Sequence, residues 1–529
     1  MSTVDHAPAA VSSGVELAEV VAAIALATDL GLGQPLEHLL RSCVIATRFA
    51  EHLGATPEER NATYWVSLLM IAGCNAVSHE MASLFGDDIA FRRDLYAVPA
   101  STLHQVRFMF SRAGSDRGTL GRVRVSARLI ASRMTSLEQT LLAHCAISVR
   151  LADRLDLGDT VATSLRQTFT RWDGKGIPRG VGGTDLLLPI RICHMAHLLE
   201  ERRRSGGVEA SVARAREFSG TSFDPALVSA WNVAAPQLLD GVDDESTWDR
   251  VVSARPTGRG PLSEAELDDA LTLLGDFADL KSPCFAGHSR GVASLATAAA
   301  RSAGTPETEV VALHRAALLH DIGRNGVPST LWDKPGTFTE AERERVRLHA
   351  YYTERVLHRA SRLAALAGTA AAAHERSSGG GYPRRVAGAV IPMPARILAA
   401  ADAYHAMIEQ RPHRAALRRD NAAGELRSAA RQGELDGAAV DAVLAAAGHR
   451  VLRRPSAPAG LTAREIEVLV LVARGATTRA VATALGITPK TAGNHIESIY
   501  AKCGISSRAE AAMFAMQHGL IPSWESVEA

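Results

Sequence analysis

The segment Leu318-Leu319-His320-Asp321-Ile322-Gly323-Arg324 ends an apolar run in an imidazole, a carboxylate, a glycine and a cation. A neutral imidazole binds one divalent metal, and a carboxylate beside it can bridge that metal to a second. Alone, such a pair says no more than that a core helix ends at the surface. Further candidates fall in the same region: His288, His349, His374 and Asp402. Each lies in a stretch whose helical period puts Ala, Leu and Val on the other faces. Imidazoles and carboxylates on the inner faces of neighbouring helices are how helical bundles build dinuclear sites. Each candidate is therefore expected on a helix.

Downstream stand Gly381-Tyr382-Pro383, Pro392-Met393-Pro394-Ala395-Arg396-Ile397-Leu398 and Arg411-Pro412-His413-Arg414. In this order, residues 277–414 resemble the HD superfamily of metal-dependent phosphohydrolases. The likeness is greatest to the HD-GYP branch, which hydrolyses cyclic di-GMP. The resemblance implies that His288, His320, Asp321 and Asp402 hold one metal, and that Asp321, His349 and His374 hold the other. Iron or manganese suits such a mixture, and ions about 3.5–4 Å apart would clamp a phosphate oxygen and hold a hydroxide. Asp321 and Arg324 are the implied catalytic residues. Arg324 stands where the family has Lys, which keeps the charge and changes a point into a fork, and Arg411 is a second cation for phosphate. The pattern also departs from the family's. Ala373 precedes His374 where histidines are paired, Cys284 replaces an acidic residue four positions before His288, Ser378 replaces an Asp, and His405 stands where an Asp is common.

The elements that must position these groups repeat along the chain. Residues from Leu36-Glu37-His38 to Pro57 parallel those from His288 to Pro306. Phe169 to Pro178 parallels His374 to Pro383, and Leu188 to Ile192 parallels Met393 to Ile397. His144 pairs with His349 at the same offset of 205, whereas His38 and His288 are 250 apart. The first repeat thus carries 45 extra residues, expected within 75–136. It keeps the scaffold and loses the ligands: Met70-Ile71 replaces His320-Asp321, Phe169 replaces His374, and His197 replaces Asp402. It is read as a degenerate, non-catalytic copy, with His38, His144 and Asp173 as structural remnants.

The last region opens with Thr462 and Glu465, a capping box before an amphipathic helix. Two short helices then flank Gly486-Ile487-Thr488, which makes a helix-turn-helix. Thr462, Arg464, Glu465, Val468, Leu469, Ala482, Leu485, Ile487, Thr491, His495, Ile499, Tyr500, Lys502, Gly504 and Arg508 resemble the LuxR-type (GerE-like) DNA-binding domain. In that family the third helix enters the major groove. Lys490, Thr491, Asn494 and His495 are the expected base or phosphate contacts, with Lys502 and Arg508 on the backbone. Residues 450–520 carry nine Arg/Lys and four Asp/Glu, a local excess of five positive charges.

A whole-chain net charge of +1 over 529 residues leaves no acidic or basic whole-protein field to argue for a partner. Six cysteines without a CxxC read as reduced thiols in a cytosolic protein. Residues 15–32 carry Glu16, Glu19 and Asp29, and are read as an amphipathic helix rather than a membrane span. The expected organisation is all-α: a disordered tail (1–14), a degenerate HD-GYP-like bundle (15–252), an HD-GYP bundle (262–450), a linker (451–460) and a helix-turn-helix domain (461–525). The expected protein is a cytoplasmic, homodimeric regulator that binds double-stranded DNA. Its metal site, with two divalent ions, would sense or hydrolyse a cyclic dinucleotide or related phosphoester. An active cyclic di-GMP phosphodiesterase with an accessory DNA-binding domain, and a scaffold without a small ligand, are the alternatives.

Overall fold

The computed structural model describes residues 14–99, 102–131, 135–243, 246–257, 260–450, 458–518 and 520–521. The tail 1–13 and most of the linker, 451–457, lie outside them. All regular structure among the described residues is helical, apart from two isolated bridges, as the residue patterns require. The chain divides into two compact units, Met1–His449 and Arg450–Ala529. The stretches 15–252 and 262–449 therefore share one unit.

The reason lies in helix α1 (Leu17–Leu32), buried at every position but Leu30 and Gly31. This corrects the amphipathic expectation. Its charges are inside and satisfied. Asp29 accepts a hydrogen bond from the Leu39 amide at 3.2 Å, and Glu19 accepts one from the Glu16 amide at 3.0 Å. One side of α1 packs on α2 (His38–His52) and α3 (Pro57–Leu69). The other packs against the turn at Ile322–Gly326, beside the His-Asp pair. A helix with no wet face serves two neighbours at once.

The early bundle is completed by α4 (Leu188–Glu217), which packs on both α2 and α3. The sequence Glu200-Glu201-Arg202-Arg203-Arg204-Ser205-Gly206-Gly207 reads as a charged helix end followed by a loop. The helix instead breaks at Gly206-Gly207, with Gly207 at φ 72°, and resumes at once.

The later bundle begins with α5 (Glu264–Asp279), opened by a Ser263–Glu266 capping box. It continues through α6 (His288–Ser302), α7 (Glu307–Leu319), α8 (Glu340–Arg359), α9 (Met393–Ile408) and α10 (Gly437–Ala446). Helix α6 packs on α7, α9 and α10 through Ala293, Ala296, Ala299 and Ala300, all buried. Small side chains let these helices approach closely enough to share one site.

A buried ion pair joins the two bundles. Lys281 Nζ donates to Asp88 at 2.9 Å, and neither side chain is exposed. Asp88 also accepts from Arg92 at 2.9 Å and from the Ser329 amide at 2.8 Å. Burial raises the Asp88 carboxyl, but Lys281 and Arg92 outweigh it and hold it below the usual range. No single helix among the described residues is long and apolar enough to cross a membrane; one bent pair, Pro57–Cys74 with Ser78–Phe85, passes on length and composition. Within that pair Tyr64, Val66, Leu68, Leu69 and Phe85 are fully buried in the fold.

The second unit contains α11 (Ala463–Ala473), α12 (Thr478–Leu485), α13 (Pro489–Cys503) and α14 (Arg508–Gln517). Val468, Leu469, Val472, Val481, Ala492, Ile499, Ala511 and Ala515 form its core. The Thr462–Glu465 capping box is present, and Glu465 also accepts from Ser498 and Lys502, tying α11 to α13.

Candidate metal centre

His288 is the first residue of α6, His349 lies within α8 and Asp402 within α9. The expectation that every ligand sits on a helix fails for the other three. His320 is the residue just past α7, Asp321 precedes a tight turn at Ile322–Gly326, and His374 closes the short turn Ala372–His374. Adjacent residues of a continuous α-helix point about 100° apart, so His320 and Asp321 could not both face inward unless α7 ended. Gly323 permits that ending. A Cβ there would meet the His349 carbonyl oxygen at 2.1 Å, because α8 crosses directly over it.

The six side chains are buried and converge. Asp321 divides its oxygens between two pairs of imidazoles. Oδ2 lies 2.9 Å from His320 Nε2 and 3.5 Å from His288 Nε2. Oδ1 lies 3.4 Å from His349 Nε2 and 3.6 Å from His374 Nε2. Asp402 stands across from it, with Oδ1 3.2 Å from His288 Nε2 and Oδ2 3.4 Å from His374 Nδ1. His320 and His349 each donate from Nδ1 to a backbone carbonyl, Ala317 at 2.7 Å and Val346 at 2.6 Å. Those bonds leave Nε2 as the inward lone pair. The Tyr382 ring stacks on His374 with centroids 4.9 Å apart.

His288 Nε2, His320 Nε2 and Asp321 Oδ1 are buried without a hydrogen-bond partner, despite their short separations, and Asp321 Oδ2 has only its ion pair with Arg324. Leaving such groups unmade costs about 1–3 kcal/mol apiece. Convergent lone pairs of this kind fit divalent cations. His288, His320, Asp321 and Asp402 form one potential ligand group, and Asp321, His349 and His374 form another. Burial and Arg324 push His288 down, but Asp321, Asp402 and Glu409 outweigh them and bring it up to about 9. Burial likewise lowers His320, and Asp321 and Asp402 outweigh it and bring it to about 10. Protons and metal thus compete for the same carboxylate field.

Two cations border the centre. Arg324 pairs with Asp321, its guanidinium 4.0 Å from the Phe285 ring centroid. Its Nε and Nη1 are buried without a partner. Arg411 lies 4.7 Å from the same ring and donates to the Cys284 carbonyl at 3.1 Å. Sequence reasoning missed Phe285, which carries both cations, and Glu409, which holds His288. Only the spacing of Glu409, seven residues or two helical turns after Asp402, hints that it shares the inner face.

Among the described residues, no group of three potential ligands lies in the early bundle. In the early bundle, His38 bonds through Nδ1 to Glu200 and lies 3.2 Å from His197. Tyr96 contacts the far side of His197 at 2.7 Å. His144 is wholly buried against the Phe169 ring, 4.8 Å between centroids. Asp173 pairs with Arg171 and accepts from the Lys175 amide at 3.1 Å, so it stabilises a turn.

In the second unit Lys490, Thr491 and Asn494 are exposed on the first half of α13, and His495 is half-buried. Lys502 and Arg508 are exposed but hold partners within the unit: Glu465 at 2.7 Å for Lys502, the Ala476 carbonyl at 2.8 Å for Arg508.

Known proteins fit this picture. The helical bundle with its His-Asp centre defines an HD domain, whose family model matches residues 272–439. The model for bacterial regulatory proteins of the luxR family matches 459–515. A Vibrio cholerae protein named 3′3′-cGAMP-specific phosphodiesterase 3 is 32% identical over 410 residues, covering 77% of this chain and 89% of that one. A Thermotoga maritima cyclic di-GMP phosphodiesterase is 34% identical over 151 residues, 28% of this chain and 40% of that one. The crystal structure of a cyclic GMP-AMP-specific phosphodiesterase of V. cholerae (V-cGAP3) superposes with a TM-score of 0.58 at 27% identity, covering 83% of this chain and 99% of that one. The chain belongs to the HD-GYP-type phosphodiesterase family and carries a LuxR-type domain at its C-terminal end.

Proposed function

We propose that this protein is a metal-dependent phosphodiesterase that opens a 3′3′-linked cyclic dinucleotide, with the helix-turn-helix domain as an accessory. The observation that carries the reading is the sharing of Asp321 between two buried ligand groups. The names of the relatives, a cGAMP-specific and a cyclic di-GMP phosphodiesterase, give the substrate class. The same names favour an enzyme that cleaves such a ligand over a regulator that senses it.

His288, His320, Asp321 and Asp402 would hold one ion, and Asp321, His349 and His374 the other. When bound, such a pair supplies Lewis-acid polarisation of the phosphate and a hydroxide at neutral pH. The chain's own groups do the rest. Arg324 has two free N–H edges for a phosphate oxygen, and the Phe285 ring fixes the plane of its guanidinium. Arg411 adds a second charge on the same ring. Burial of the centre keeps these interactions strong by excluding water.

The early bundle is read as a degenerate copy. Its histidines are occupied by Glu200, Tyr96 and one another rather than by convergent carboxylates. The second unit is read as binding double-stranded DNA through Lys490, Thr491, Asn494 and His495, with Lys502 and Arg508 toward the backbone. Two copies would read two half-sites. Metal-loaded protein incubated with 3′3′-cGAMP or cyclic di-GMP should release linear product, and His320→Ala and Asp321→Ala should release none. Equal product from these variants and the wild type would overturn the reading.

A further inference from the structure

Glu409 lies just past the end of α9, outside every recognised motif. Its Oε2 is 2.9 Å from His288 Nδ1, the ring nitrogen facing away from Asp321 and Asp402. A carboxylate can only accept there, so Nδ1 carries the hydrogen and Nε2 presents its lone pair to the ligand group. We infer that Glu409 is the positioning residue of the centre: it fixes the tautomer and ring plane of His288, and through them the affinity for the ion that His288 helps to hold.

Three features support this role. The first is support from both sides. Arg411 donates to the same Oε2 at 2.5 Å, and His405, one helical turn before, lies 3.0 Å from Oε1. The Arg411 bond holds the carboxylate in place while it remains part-buried. The second is packing of the neighbour. His405 sits over Gly291 of α6, where a Cβ would come within 1.9 Å of its ring, and its ring meets that of His288 edge-on at 5.5 Å. His405 is thus packed between α6 and the His288 ring and bounds the space in which Glu409 meets Nδ1. The third is recurrence. In the early bundle His38 is held through the same Nδ1 by Glu200 of α4, and Glu200 is 205 residues before His405. The chain therefore builds the same carboxylate–imidazole pair twice, from positions one helical turn apart. Glu409 supplies, from one turn later, the carboxylate that Glu200 supplies in the early bundle.

His288, His405 and Glu409 also lie close enough together to hold an ion of their own. The guanidinium of Arg411, 3.4 Å from His288 Nδ1 and bonded to Glu409, already places a positive charge there. A cation at that point would be repelled, so the cluster orients a ligand and does not form a third centre.

The inference rests on His288 being a metal ligand, and the experiment separates the two claims. Full-length protein is stripped with chelator and titrated calorimetrically with Mn²⁺, alongside Glu409→Ala and Glu409→Gln. Loss of an outer-shell partner weakens metal binding about 10- to 100-fold, and Glu409→Ala should fall in that range. Glu409→Gln keeps an acceptor oxygen for Nδ1 and should lose less, which also carries the test if the alanine variant does not fold. Thermal unfolding of the metal-free proteins reports the purely structural part of the Glu409–Arg411 pair. Unchanged Mn²⁺ affinity in folded variants, whatever their melting temperature, overturns the positioning role. A wild type that takes up no Mn²⁺ overturns the metal reading beneath it.

Discussion

Acid should destabilise the first unit through His144, by an amount set by its burial. The side chain is wholly inaccessible, against Phe169, and burial pushes its pKa from 6.5 down to about 3. Because the folded value is depressed, the contribution to stability is complete above pH 6.5. It is lost as the pH falls toward about 3, while the unfolded chain takes up a proton that the fold refuses. At pH 5 the unfolded state gains about 2 kcal/mol from this one group, against roughly 0.1 kcal/mol at pH 7.5. His144→Leu removes the titration, and neither ring nitrogen has a hydrogen-bond partner to lose. The assay is urea unfolding of both proteins, metal-free, at pH 7.5 and pH 5. Other buried histidines, such as His194, lowered by burial to about 4, are common to both proteins and cancel. The variant should gain about 2 kcal/mol relative to wild type on acidification. An identical difference at both pH values would refute the argument, and with it the reading of His144 as a neutral packing residue.

Lys281→Met should destabilise the first unit by about 3 kcal/mol, because Asp88 would keep a buried charge with Arg92 alone. A second change, Asp88→Asn, should recover part of that loss, and urea midpoints measure both. Arg324→Ala should lower kcat about 100-fold with bound metal retained, and Arg324→Lys should recover part of the rate, as steady-state hydrolysis with parallel metal analysis would show. Lys490→Ala should weaken DNA binding to all sequences alike and reduce the salt slope by about one. A titration of binding against salt concentration gives that slope, and an unchanged value would remove Lys490 from the interface.

Much of the centre was legible because its chemistry needs particular residue types. Six imidazoles and carboxylates in order predict a shared site, and the structure brings all six together. The local geometry was not legible. His320, Asp321 and His374 sit at helix ends because neighbouring side chains must turn the same way, a demand of the site that helical periodicity cannot express. Helix α1 was misread for a related reason. Glu19 and Asp29 suggested a wet face, but each is satisfied inside the protein by backbone amides. The sequence pattern shows a charge and not the partner that makes its burial tolerable. Glu409 was invisible for the same reason: its partner His288 lies 121 positions away. The capping boxes at Ser263 and Thr462 were readable because both halves of each lie within one turn.

The central claim is that Asp321 joins two metal positions within one buried cluster. Crystals of the manganese-loaded protein, with diffraction recorded at the manganese absorption edge, test it directly. The account predicts two anomalous peaks on either side of the Asp321 carboxylate, one toward His288 and His320 and the other toward His349 and His374. Manganese bound elsewhere on the chain, with no peak beside Asp321, would contradict it.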